Sequence, residues 1–241
     1  MTAASRSIFQ VGHLERVPLG TPYPGIVAHV GRLLGKVPTR TELVIDITGV
    51  GKPIFEMFTY SGISPAGVLI TAGTAETRDF AICGVPKLTL VSRLQALLHE
   101  GRLKIQRELA EAETLVRELQ DFRVEYTAPG HLTFNARSGK HDDLVLALAI
   151  AVWRAHGGGM PNYGLFEVMR EKALGAKAGE PRYYVGLDLG QSRDPTAIAV
   201  VRRVDPPPPV PQPEKPKPNY APGSVEWHEE QRRRKNEAVP A

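Results

Sequence analysis

Apolar residues along this chain change period several times, and each change marks an element. In Ser7–Val17, Ile8, Val11 and Leu14 alternate imperfectly with polar neighbours, which predicts a strand. Ile26, Val27, Val30, Leu33 and Leu34 then fall at helical spacing. Thr21 is the candidate N-cap of that helix, and Gly35 and Pro38 bracket its end. Glu42–Ile47 (ELVIDI) returns to a short buried strand, Pro53–Tyr60 to a helix, and Ala66–Thr71 (AGVLIT) to a second buried strand. Strand, helix and strand at these spacings predict a βαβ unit, so part of the sheet is parallel. Ala72–Val85, polar and glycine-containing, is predicted as a loop or small hairpin.

From Pro86, Leu90, Val91, Leu94, Leu97 and Leu98 mark an amphipathic helix ended by Gly101, followed by a short strand at Leu103–Ile105. The next helix carries Leu109, Ala112, Leu115, Val116 and Leu119 on one face. Phe122–Thr127 and Leu132–Ala136 flank Pro129-Gly130 as a hairpin. His141–Ala155 is apolar almost all round, so that helix must be buried; Gly157–Gly159 ends it. A weaker helical pattern spans Leu165–Leu174. Tyr183–Leu187 and Thr196–Val201 are rich in β-branched and aromatic residues and are separated by the turn-forming Gly190–Pro195. They predict a hairpin with a long loop, and their nearly continuous apolar character places it inside a sheet. Pro206–Pro222 is proline-rich and Gln231–Lys235 is a basic run in a polar tail, where no packed structure is expected. The predicted organisation is a core over residues 1–156, a connector over 157–182, a sheet-completing hairpin over 183–204 and a disordered tail over 205–241.

Composition narrows the class. The chain has 241 residues, of which 42% are hydrophobic, enough for one α/β domain with extra segments. The single cysteine, Cys83, excludes an internal disulfide and fits a reducing compartment. The N-terminal MTAASRSIFQ has no apolar signal core, and Leu144–Trp153 is far shorter than the roughly 20 residues a bilayer requires. A cytoplasmic protein without a membrane partner is expected. A net charge of +4 permits a nucleic-acid partner without requiring one.

Candidate chemistry rests on carboxylates. Asp188 follows YYVGL, Asp46 lies in ELVIDITG, and Asp142 and Asp143 open the buried helix. Acidic groups at the ends of neighbouring strands and a facing helix can share divalent ions, and hard cations such as Mg²⁺ want oxygen ligands. Each has an ordinary alternative. Asp46 would cap the following helix, Asp142 and Asp143 would favour the helix dipole, and Asp188 would simply serve a turn. Adjacent helical residues point about 100° apart, so only one of Asp142 and Asp143 is expected to face a site. Gly49-Val50-Gly51-Lys52 lacks the spacing of a phosphate-binding P-loop. His13, His29, His99 and His156 show no metal-ligand spacing; His141 precedes the acidic pair.

Four stretches, ELVIDITGVGKPIFEMF, VPKLTLVSRLQALLHEGRLKI, EAETLVRELQDFRVEY and GKHDDLVLALAIAVWRA, resemble the C-terminal nuclease domain of phage terminase large subunits over residues 7–156. The resemblance implies a ribonuclease H-like mixed sheet, in strand order 3-2-1-4-5, flanked by helices. It also implies a two-metal DNA endonuclease using Mg²⁺ or Mn²⁺, with Asp188, Asp46 and Asp142 or Asp143 as metal-binding catalytic residues. The implied partners are double-stranded DNA and a separate packaging ATPase or portal, in the cytoplasm of a bacterial host.

One departure is order. The stretches matching the family's first two strands, YYVGLDLG and TAIAVVRRV, come at the far end, so the chain reads as a circular permutant, or one whose hairpin is swapped within a homo-oligomer. The connector could span roughly 80–90 Å at about 3.3 Å per residue. Another departure is that no Walker motif is present, so no motor activity is expected. Arg93, Arg102, Lys104, Lys140 and Arg193 are candidates for phosphate-backbone contacts, though a solvated surface is the ordinary reading of each. Two other functions remain open: an inactive terminase-derived DNA-binding or packaging component, and, from Gly186–Gly190 (GLDLG), an actin-like-fold ATPase.

Overall fold

The computed structural model describes residues 7–37, 41–126, 132–136, 142–159, 180–190, 194–206 and 229. The chain divides into two units, 1–207 and 208–241, and all that follows concerns the first. Its strands in chain order are β1 (Ile8–Val17), β2 (Thr41–Asp46), β3 (Ala66–Thr71), β4 (Thr77–Asp79), β5 (Ile82–Pro86), β6 (Leu103–Ile105), β7 (Phe122–Tyr126), β8 (Leu132–Ala136), β9 (Arg182–Asp188) and β10 (Thr196–Val204). The helices are α1 (Tyr23–Leu34), α2 (Gly51–Tyr60), α3 (Lys87–His99), α4 (Ala112–Asp121) and α5 (Asp143–Ala155).

The late hairpin lies in the middle of a mixed eight-stranded sheet, in the order β4-β5-β3-β2-β9-β10-β1-β6. It is antiparallel to β1 through β10 and parallel to β2 through β9. β2, β3 and β5 continue the parallel half, and β7 and β8 form a separate two-stranded sheet. Alternation along the central strands divides the core between two faces. Val44, Tyr184, Ala197 and Ala199 pack with α3, α4 and α5, while Leu43, Ile45, Val185, Leu187 and Ile198 pack with α1 and α2. This is a mixed α/β fold with helices on both faces, as expected.

The imperfect alternation of β1 has a physical cause. A β-bulge between Val11 and His13 shifts the register against β10. Because side chains alternate with a period of two, one extra residue reverses the faces beyond it. Phe9 and Val11 face α5 before the bulge, and Leu14, an even position, faces it after.

α5 is buried at every residue except Arg154. It runs antiparallel to β2 and β9, with Arg154 near its C-terminus bonded to Glu42 at the start of β2 (2.8 Å). Gly186 makes the close approach possible. A Cβ there would stand 1.9 Å from the carbonyl oxygen of Ala147 and 3.0 Å from the Cβ of Ala151. Gly186→Ala is therefore expected to destabilise the protein by about 3 kcal/mol, the upper end of overpacking costs, because backbone has to move. Urea denaturation should show the loss; a shift within error would mean that α5 packs elsewhere.

Three expectations are corrected. Thr21 does not cap α1: the cap position is Pro22, and the Thr21 hydroxyl donates to the carbonyl of Pro18 (2.7 Å). α4 begins at Ala112, beyond Leu109. The stretch read as a loop or small hairpin is a small hairpin of β4 and β5, as expected, and β5 also extends the parallel sheet beside β3. Order also continues past Val204. Asp205 accepts from the Ser7 hydroxyl (2.6 Å) and Arg203 (2.8 Å) and pairs with Arg182 (3.5 Å), tying both hairpin strands to the residue preceding β1. The Leu165–Leu174 helix, the Pro129-Gly130 turn, His141 and the proline-rich and basic tail lie outside the described residues.

Burial works against ionisation of Asp205, but Ser7, Arg203 and Arg182 outweigh it and hold its carboxyl below the usual range. A depressed carboxylate pKa stabilises the fold above the unfolded value of about 3.9, and that contribution disappears as pH falls through the folded value. Asp205→Asn should thus cost about 1 kcal/mol at pH 7 and progressively less below about pH 4. Thermal unfolding across that range tests it; a gap independent of pH would contradict the ionic assignment.

Candidate active site

Asp46 and Asp188 end neighbouring parallel strands. Ile45 and Leu187 are register partners, and each aspartate stands one residue beyond that pair, so their backbones lie about 4.8 Å apart. The period of two puts Asp46 on the face of Val44 and Asp188 on the face of Gly186, which is the face covered by α5. Asp143 lies one helical turn before Ala147, the residue that crosses Gly186, and so is carried toward Asp188. The carboxylates singled out from sequence therefore stand at one end of the sheet, where the charges of Asp46, Asp143 and Asp142 act on Asp188.

The loop after β2 fixes Asp46. Its Oδ1 accepts the Thr48 N–H (2.8 Å), closing a tight turn into α2. Gly51 lets the first turn of α2 rest on the Asp46 backbone, since a Cβ there would fall 2.5 Å from the Asp46 carbonyl oxygen. The capping alternative is thus only half met. Asp46 shapes the turn, while the cap position of α2 belongs to Val50.

Asp142 and Asp143 separate clearly. Asp142 occupies the cap position of α5 without a side-chain capping bond, and its Oδ2 pairs with Lys87 Nζ at 2.9 Å. Asp143 is buried, at 8% exposure. Burial raises the pKa of Asp46, with Thr48 and Lys87 opposing and Asp142 reinforcing the shift. Asp188 is pushed well above the carboxylate range by burial of its carboxyl and then by the charges of Asp46, Asp143 and Asp142, with Lys87 opposing. The residue as a whole keeps a partly open edge, while its carboxyl is turned inward.

The donors are all oxygens and carry more negative charge than Lys87 offsets, which suits hard divalent cations. Among the described residues no group of three or more acidic, histidine or cysteine side chains converges tightly enough to enclose an ion. The aspartates form an acidic mouth, not a closed cage.

The basic candidates distribute differently. Arg93 on α3 acts on His156, beyond the far end of α5, and Lys104 stands opposite Gln10 on the sheet edge away from the carboxylates. Arg102 is engaged by the Ser7 carbonyl and Glu100. Lys140 and Arg193 lie outside the described residues. His13 and His29, scattered in sequence, both meet Glu15 at 2.9 Å on the α1 face.

Two residues near the carboxylates were missed. Lys87 follows β5, whose Gly84 and Pro86 disguise a strand. Glu118 sits near the apolar face of α4 at 6% exposure. A carboxylate so close to a buried stripe signals a specific partner, and that was the available clue.

Comparison with known proteins gives a direction. Two curated proteins, the terminase large subunits of Thermus phage G20c and Thermus virus P23-45, are each 28% identical to this chain over 109 residues. Over that stretch the chain is distantly similar to terminase large subunits. The match covers 45% of this chain and 19% of each of those terminases, so it concerns a minor part of their length. No family model and no solved structure matches. Among the described residues no helix is long and apolar enough to cross a membrane.

Proposed function

We propose that this chain is a metal-dependent DNA endonuclease of the terminase large-subunit type, with a ribonuclease H-like fold. The observation that carries the reading is the pair of strand ends, Asp46 and Asp188, in adjacent register and faced by Asp143 from α5. The order β1-β10-β9-β2-β3 parallels the 3-2-1-4-5 arrangement of the family, and this supports a permuted chain. In that reading residues 1–156 form the core, 157–182 connect, and 183–204 complete the sheet.

Asp46, Asp188 and Asp143 would hold Mg²⁺ or Mn²⁺, whereas Asp142 is committed to Lys87. Bound in pairs, such ions activate water and stabilise the leaving oxygen of a phosphodiester. Thr48 and Gly51 hold Asp46 on the α5 face, and Lys87 supplies a cation beside the acidic mouth. Double-stranded DNA is the proposed substrate, cut in the host cytoplasm in company with a separate packaging ATPase or portal.

The second reading is a catalytically inactive terminase-derived component. The spread of the acidic groups among the described residues favours it. Plasmid cleavage in Mn²⁺, Mg²⁺ or EDTA separates the two. Nicking or linearisation that EDTA prevents supports the nuclease; DNA retention without cleavage in any metal supports the inactive relative.

A further inference from the structure

The first turn of α5 is capped from another helix. Its own cap residue, Asp142, makes no capping bond because its carboxylate is held by Lys87. The Val145 N–H, two residues beyond Asp143, donates instead to Glu118 Oε2 at 3.1 Å. The other oxygen of Glu118 pairs with the Arg16 guanidinium. Arg16 is register partner to Ala197, which is register partner to Asp188, so Arg16 and Asp188 lie in one cross-sheet row. It reaches the α5 face because the bulge in β1 reverses the side-chain alternation beyond Val11.

We propose that Glu118 is a positioning residue that aims Asp143 at the Asp46–Asp188 strand ends, with Arg16 holding Glu118 in place. Helix N-caps ordinarily come from the residue before the first turn. Here the division of labour leaves Asp142 with Lys87 and fixes the turn carrying Asp143 from α4. The inference rests on the proposed site, since only there does the aim of Asp143 matter.

The test reads proximity without metal. In a Cys83→Ala background, Asp143→Cys and Asp188→Cys are bridged by a short bifunctional thiol reagent, and the closure rate is compared among variants at residue 118. Glu118→Ala leaves Arg16 without its partner, so Glu118→Leu combined with Arg16→Leu serves as the variant that retains the fold. Closure should slow about tenfold in the double-leucine protein, and exchange of the Val145 amide should quicken by a similar factor, as expected for a lost cap. Glu118→Gln keeps an acceptor for Val145 and should close nearly as fast as the parent. Equal rates in all three proteins, or a Glu118→Gln protein as slow as the leucine pair, would overturn the inference.

Calorimetric Mn²⁺ binding to chains retaining Asp143 and Asp188 adds a second readout. Affinity should fall when both Glu118 and Arg16 are replaced by leucine and hold when Glu118 is replaced by glutamine. If the unaltered protein binds no Mn²⁺ while closure still depends on Glu118, the nuclease reading fails and the positioning role stands.

Discussion

Asp188→Asn is expected to abolish metal-dependent DNA cleavage while making the metal-free protein more stable. Both effects come from one arrangement. Asp188 ends the strand next to Asp46, within reach of the Asp143 charge, so removing its own charge takes away a central ligand of the proposed metal site. Losing merely an outer partner of a metal ligand costs about 10–100-fold, so cleavage should fall by roughly 10³-fold or more. The same carboxyl is buried and faces the charges of Asp46, Asp143 and Asp142. Its pKa is raised on folding, so the folded protein keeps a proton that the unfolded chain loses above about pH 4. Folding stability therefore declines as pH rises from there to the folded value, and the full penalty persists above it. Asparagine carries no such penalty. In EDTA, the advantage of Asp188→Asn should be small near pH 4 and grow toward neutrality. Urea denaturation across that range checks it. A variant less stable than wild type at pH 7 would refute the crowding argument, and one that still cleaved at the parental rate would remove Asp188 from the site.

A chain ending at residue 181 is expected not to fold cooperatively. Such a chain lacks β9 and β10, which join β1 to β2, so the sheet would break into a β1–β6 pair and a β2–β3–β5–β4 group. Both fragments would present an open strand edge. α5 would lose the strands it covers, exposing a helix whose residues are buried at every position but Arg154. The Asp205 cluster that ties Ser7 to Arg182 and Arg203 would vanish as well. Thermal melts should show no sigmoidal transition, and most backbone amides should exchange rapidly. A cooperative melt from the shortened chain would mean that the hairpin is an addition to a fold complete without it.

How much of this was legible depended on the range of each signal. The βαβ unit from β2 to β3 was readable because ELVID and AGVLI are short apolar runs separated by a helix of ordinary length. The burial of α5 was readable too, because a helix apolar on all sides has no face for water. A small hairpin over Ala72–Val85 was readable as one of two alternatives, but Gly84 and Pro86 argue locally against a strand, and the place of β5 came from pairing with β3. Thr21 failed as a cap because the helix begins one residue later, after Pro22, and the Thr21 hydroxyl is turned back to donate to the Pro18 carbonyl.

By itself the sequence determined most of the strands and helices, that a late hairpin would lie inside a sheet, and that acidic residues would stand at element ends. Those are properties of periods of two and 3.6 residues, written within a dozen positions. Only the tertiary structure decided that the charges of Asp46, Asp143 and Asp142 gather around Asp188, that Lys87 pairs with Asp142, and that Glu118 caps α5. These choices depend on the register between β2 and β9, strands some 140 positions apart, on the bulge that turns Arg16 to the α5 face, and on the missing Cβ at Gly186 that seats α5. Long-range pairing selects among conformations that are locally equivalent, so no local pattern could have distinguished them.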